Sequence, residues 1–146
     1  MKSDPLITFR RKPATLDVPA LEAFAEILRT RVARGHEFHC LVTGDEEMVR
    51  LNKQFRGKDG PTDVLSFPIE GDDGYIGDLA ISLGRARAQA KQYGHSVNEE
   101  IRILMLHGLL HLKGMDHETD SGQMARTERR WRKTLQLTAG LVERTK

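Results

Sequence analysis

The sequence predicts an α/β fold: a single compact domain, residues 1–146, with a mixed and mostly four-stranded sheet covered by helices. Three observations predict it. The apolar pattern alternates between a period of two and a helical period, in the order strand, helix, strand, helix, strand, strand, then helices. A helix joins the first two strands, which makes them parallel, whereas a four-residue turn joins the last two and makes a hairpin. The length of 146 residues suits one buried core, and 38% hydrophobic with 30% charged residues is ordinary for a soluble globular chain.

Each element has its own reason. Leu6 to Arg10 alternates enough for a short strand, ended by Pro13. Asp17 is an N-cap and Pro19 fits a first helical turn. Leu21, Phe24, Ala25, Leu28 and Val32 then recur at helical spacing up to Gly35. Glu37 to Thr43 is a strand with Phe38, Cys40 and Val42 on one face and His39 and Leu41 on the other. Asp45 caps a second helix that carries Met48, Leu51 and Phe55. Asp63 to Glu70 is a strand in which Pro68 forbids a full ladder, so it belongs at an edge or a bulge. Gly71-Asp72-Asp73-Gly74 is a turn, and Tyr75 to Ser82 completes the hairpin.

Ser82 starts a helix that ends near Gly94, and Ser96-Val97-Asn98-Glu99 is a capping box. The following helix has Val97, Ile101, Leu104, Met105 and Leu109 as its buried stripe, and a last helix spans about Asp120 to Leu141. The sole cysteine, Cys40, cannot form an intramolecular disulfide and reads as a small core residue suited to a reducing, cytoplasmic setting. The charged N-terminus lacks the apolar segment of a secretory signal. No run reaches the ~20 apolar residues of a membrane span.

Chemistry concentrates in His107-Gly-Leu-Leu-His111-Leu-Lys-Gly-Met-Asp-His117. Residues four apart on a helix share a face, with Cβ atoms roughly 5–6 Å apart, so His107 and His111 can aim at one ion. Gly114 lets the backbone reverse and bring His117 back toward them. Three neutral nitrogen donors without a fourth protein ligand match a catalytic zinc site with an open position, one Zn2+ per chain. Imidazole also suits nickel, copper and iron. The zincin-like peptidase motif H-E-x-x-H carries its general base directly after the first histidine. Gly108 stands there instead, which disfavours a metallopeptidase. Asp116 and Glu118 are candidates for a base or for orienting a histidine ring, and Glu118 is equally a solvated surface residue.

Several other polar groups have two readings. Arg56, in a loop-forming stretch rich in Gly, Pro and charge, can grip a phosphate bidentately. Composition alone favours the plainer role of capping its helix C-terminus, worth about 0.3–1 kcal/mol. Thr62 and Asp63 serve a cap or a turn. Asp78 follows Gly77 in a strand and either supports the metal site or fixes a turn. His36, His39 and His95 read as structural. Arg126, Arg129, Arg130 and Lys133 line one helical face, and Arg85, Arg87 and Lys91 add charge to the preceding region. Such stripes are the footprint of a nucleic-acid binder, although a solvated face is the commoner explanation. Trp131, Tyr75 and Tyr93 are the aromatic candidates for base stacking, with Trp131 better suited to the core.

Taken together, these residues resemble the YbeY-type endoribonucleases, the bacterial rRNA maturation factors. The likeness rests on His107-Gly-x-Leu-His111-Leu-x-Gly-x-Asp116-His117. It extends to Asn52, Phe55-Arg56-Gly57-Lys58-Asp59, Pro61-Thr62-Asp63-Val64-Leu65-Ser66-Phe67-Pro68 and Ile76-Gly77-Asp78-Leu79-x-Ile81-Ser82, covering about residues 20 to 135. The resemblance implies a zinc ion on His107, His111 and His117, with Arg56 and His107 as catalytic positions, which reverses the compositional reading of Arg56. It further implies cleavage of single-stranded RNA in 16S rRNA 3′-end maturation, ribosome biogenesis and ribosome quality control. The implied partners are ribosomal RNA, small-subunit ribosomal proteins and a ribosome-assembly GTPase, with no membrane. The competing expectation is a non-catalytic rRNA-binding assembly factor whose zinc is structural.

Overall fold

The computed structural model describes residues 5–10, 15–57, 62–71, 73–116 and 118–137. Its elements are β1 (Ile7–Phe9), α1 (Val18–Ile27) with a π-helical turn over Leu28–Val32, β2 (Glu37–Thr43), α2 (Asp45–Arg56), β3 (Val64–Pro68), β4 (Tyr75–Ser82), α3 (Leu83–Tyr93), α4 (Val97–Leu112) and α5 (Gln123–Thr134). The sheet order is β1-β2-β4-β3. β1, β2 and β4 run parallel, and β3 pairs antiparallel with β4 at the edge. Pro68 therefore sits on an edge strand, where its missing N–H breaks no central ladder.

The two faces of the sheet are unequal. Phe38, Cys40, Val42, Leu79 and Ile81 pack with α1 and α4 into the main core. On the other face Leu65 and Ala80 meet Met48 of α2 in a small second cluster, bordered by Leu51 and Phe67. Phe55, expected on the buried side of α2, is 59% exposed and meets Phe67 edge-on at 5.3 Å between centroids. The second cluster is too small to cover the last turn of that helix.

α4 departs most from its expected amphipathic stripe. Ile103, Leu106, His107, Gly108 and Leu110 are buried along with Ile101, Leu104, Met105 and Leu109. The sheet lies on one side of it, and α1, α3 and α5 surround the others. A helix flanked on several sides buries residues beyond one stripe, and here these include the polar Glu100 and His107.

Capping mostly follows the sequence. Asp17 accepts from the Ala20 N–H, Ser82 from Arg85 and Ser96 from Glu99. Asp45 is a correction: Gly44 occupies the cap position, and the Asp45 carboxylate accepts from the Ser82 hydroxyl at 2.5 Å. That contact joins the starts of α2 and α3. The last helix begins at Gln123 and not near Asp120, because the Asp120 carboxylate accepts from the Gly122 and Met124 N–H groups and so forms the turn that precedes it. The expected extension to Leu141 and the stop at Pro13 lie outside the described residues, as does Asp72 of the hairpin turn.

Candidate metal and phosphate site

One cleft, of about 590 Å³, gathers Arg56, Thr62, Asp63, His107, His111, Asp116 and Glu118 of the residues singled out above. Arg56 enters it from the end of α2, Thr62, Asp63, Val64 and Ser66 from the start of the hairpin, and His107 and His111 from α4. Asp116 and Glu118 come from the loop beyond α4, and Gln89, Gln92 and Tyr93 from the end of α3.

The histidine pair follows from helical geometry. His107 and His111 lie one turn apart, with ring centroids 4.9 Å from each other. His107 is 5% exposed, and its Nδ1 lies 2.8 Å from Oε2 of Glu128, itself 1% exposed. With Nδ1 donating to that carboxylate, the neutral ring carries its lone pair on Nε2, the arrangement by which a carboxylate orients a metal-binding imidazole. Composition gives Glu128 no role, because it stands among the arginines of the basic stretch. Its signal is positional: it falls four residues after buried Met124, and so on the inward face of α5.

Past α4 the chain reverses as Gly114 suggested. Gly114, at φ +92°, donates to His111 O at 2.9 Å, and Met115 donates to Leu110 O at 3.2 Å. This Schellman closure returns Asp116 to the cleft, where its carboxylate accepts from the Glu118 N–H at 3.0 Å. Asp116 thus also shapes the loop. The expected third ligand, His117, lies outside the described residues, and among those described no trio of His, Cys, Asp or Glu donors assembles. The pair that is described fits a metal through its donor chemistry: two imidazoles on one helical face, one of them held by a buried carboxylate.

Gly108 has a packing explanation. A Cβ there would stand 2.8 Å from Leu79 Cδ2 and 3.1 Å from Val64 Cγ2, both in the sheet beneath. The Ser66 hydroxyl donates to Gly108 O at 3.0 Å across the same contact. α4 lies so close to β3 and β4 that this position has no room for the peptidase glutamate.

Arg56 is exposed in the last turn of α2, which closes on Gly57 in the left-handed conformation at φ +66°. Asp63 accepts from the Val64 N–H at 2.8 Å through its own carboxylate, while its carbonyl accepts from Ser82. Asp78 is not part of the cleft. It accepts a hydrogen bond from the Tyr75 hydroxyl, and burial together with this contact pushes that phenol well above its ordinary range. The other histidines serve structure: His36 meets Ala33 O at 2.8 Å, His39 meets the Thr8 hydroxyl at 2.8 Å and His95 meets Glu100 at 2.7 Å.

The family model described as Endoribonuclease YbeY matches residues 8–136. The chain belongs to the YbeY family. Among its relatives is a protein from Solibacter usitatus named Endoribonuclease YbeY, 60% identical over 94% of this chain and 92% of its own length. Another of that name, from Koribacter versatilis, is 45% identical over 96% of this chain and 91% of its own. A solution structure from Thermotoga maritima is similar with a TM-score of 0.58 and 27% identity, covering 86% of this chain and 85% of that one.

Proposed function

We propose that this YbeY-family protein is a zinc-dependent endoribonuclease that cuts single-stranded RNA, acting in the cytoplasm on the 3′ end of 16S rRNA during ribosome biogenesis and quality control. The observation that carries the reading is the meeting in one cleft of an arginine and a histidine pair, one ring of which is held by a buried carboxylate. The names of the relatives support RNA as the substrate. Small-subunit ribosomal proteins and a ribosome-assembly GTPase are the partners that go with this role. No helix among the described residues is long and apolar enough to cross a membrane.

His107, His111 and His117 are the residues that would hold the ion. When bound, it supplies a Lewis-acid charge beside the phosphate and makes a water acidic enough to ionise near neutrality. The chain's own groups do the rest. Glu128 keeps His107 in one tautomer. Arg56 binds non-bridging phosphate oxygens with two parallel N–H groups and offsets the charge that builds on them in the transition state. Neither task uses a carboxylate next to His107, so packing is free to demand glycine at 108.

The test is incubation of metal-quantified protein with ribosomal RNA, alongside His111→Ala. Cleavage by the wild type, lost in His111→Ala and after chelation while the circular dichroism spectrum stays folded, is the expected result. A metal-replete wild type that never cuts RNA, and that unfolds on chelation, would establish a structural ion in an assembly factor instead.

A further inference from the structure

Of the phenylalanine, tyrosine and tryptophan rings among the described residues, Tyr93 is the one that lines the cleft. Trp131 packs partly buried against the main core with the Arg31 guanidinium 5.7 Å from its ring centre, and Tyr75 is engaged with Asp78 away from the cleft. Tyr93 is 44% exposed, and it lines the same cleft as Arg56, His107 and His111.

Its support is stiff. Gln89, one turn earlier, donates to Oε2 of Glu100 at 2.7 Å, and His95, two residues later, meets Oε1 at 2.7 Å. Glu100 is wholly buried in α4, the helix that carries the histidine pair. Gly94, at φ +73°, closes α3 between these two anchors. The turn that bears Tyr93 is therefore tied on both sides to the scaffold of the candidate metal site. A ring on a rigid support stacks on a flat partner with little loss of freedom.

We infer that Tyr93 is the stacking face for one unpaired nucleobase of the substrate, next to the phosphate held by Arg56. This rests on the reading of the cleft as an RNA site and deepens it. A base within a duplex has both faces covered by its neighbours, whereas a single strand can turn one onto a side chain. Tyr93 thereby favours single-stranded substrate, and any of the four bases satisfies it because each has a π face.

The test uses metal-replete protein and short fluorescent oligoribonucleotides in which one abasic nucleotide is moved along the strand, read by anisotropy and by cleavage. Wild-type protein is expected to lose about 5- to 150-fold in affinity when the abasic nucleotide occupies one particular position. Tyr93→Ala should bind the intact strand as weakly as wild type binds that abasic strand, and should show no further penalty there. Tyr93→Phe and Tyr93→Trp should restore the penalty. KM should rise in Tyr93→Ala while kcat stays within a few-fold, with an unchanged melting temperature. Binding and cleavage of RNA with the same abasic penalty in wild type and Tyr93→Ala would overturn the role of Tyr93 and leave the endoribonuclease reading standing. Failure of wild-type protein to bind or cut any RNA would overturn both.

Discussion

Arg56 is exposed and makes its case at the scale of one side chain, because little in the fold depends on it. Arg56→Ala is therefore expected to leave the melting temperature within about 1–2 °C, as surface changes do. The same change should lower single-turnover cleavage by about 10²–10³, the usual effect of removing one donor to a developing oxyanion. Undiminished cleavage by a metal-replete variant would remove Arg56 from the chemistry. Gly108 is the opposite kind of residue, buried against the sheet. Gly108→Glu would force a side chain into buried Leu79 and leave a carboxylate without water. Overpacking alone costs about 1–3 kcal/mol, and the buried charge adds to it. A large fall in the urea midpoint is expected. A variant as stable as wild type would mean that α4 can lift from the sheet, and that packing does not explain the glycine.

Between elements, the contact that matters most is α5 against α4 through Glu128 and His107. Glu128→Ala removes a buried acceptor from Nδ1, at a cost of about 1–3 kcal/mol in stability. If His107 is a ligand, the same change should weaken the ion by about 10–100-fold in competition with a chromogenic chelator. Glu128→Gln, which keeps an acceptor but not the charge, should fall between. Equal metal affinity in all three proteins would reduce Glu128 to a packing residue. The pairing also explains the composition of α5. Glu128 is the one acidic residue of a helix otherwise rich in arginine and lysine, and it is buried where Arg126, Arg130 and Lys133 are exposed.

Across the whole molecule, acid stability rests partly on Glu47 of α2, which ties Arg10, just past β1, to Thr43 at the end of β2. It accepts from the Arg10 guanidinium at 3.0 Å and from the Thr43 hydroxyl at 2.6 Å. Arg10 chiefly, and then Thr43, hold its carboxyl below the ordinary value of 4.5. A carboxylate with a depressed folded pKa binds fewer protons in the folded state, so its contribution is present above the ordinary value. It is lost as pH falls through the lower folded value. Glu47→Gln should therefore be less stable than wild type at neutral pH, and the two unfolding curves should converge as pH falls through the lowered folded value. A gap that stays constant with pH would assign the effect to packing. Cys40 behaves differently: burial pushes its thiol up to about 12, consistent with the small core residue that its strand position predicts.

Much of this protein is decided by local rules. The strand limits of β2 and β4, the hairpin, the caps at Asp17, Ser82 and Ser96, and the reversal at Gly114 follow from side-chain alternation and backbone chemistry over a few residues. The pairing of His107 with His111 is likewise a property of helical pitch. What no local rule contains is distance across the chain. Glu128 finds His107 from 21 positions away, Gly108 is dictated by Leu79 and Val64 in the sheet, and Tyr93 and not Trp131 or Tyr75 lines the cleft because of how the helices pack. Spacing along the chain determined which side chains could act together. Close packing of α4 against sheet and neighbouring helices, a condition on volume and not on sequence neighbours, decided which of them do.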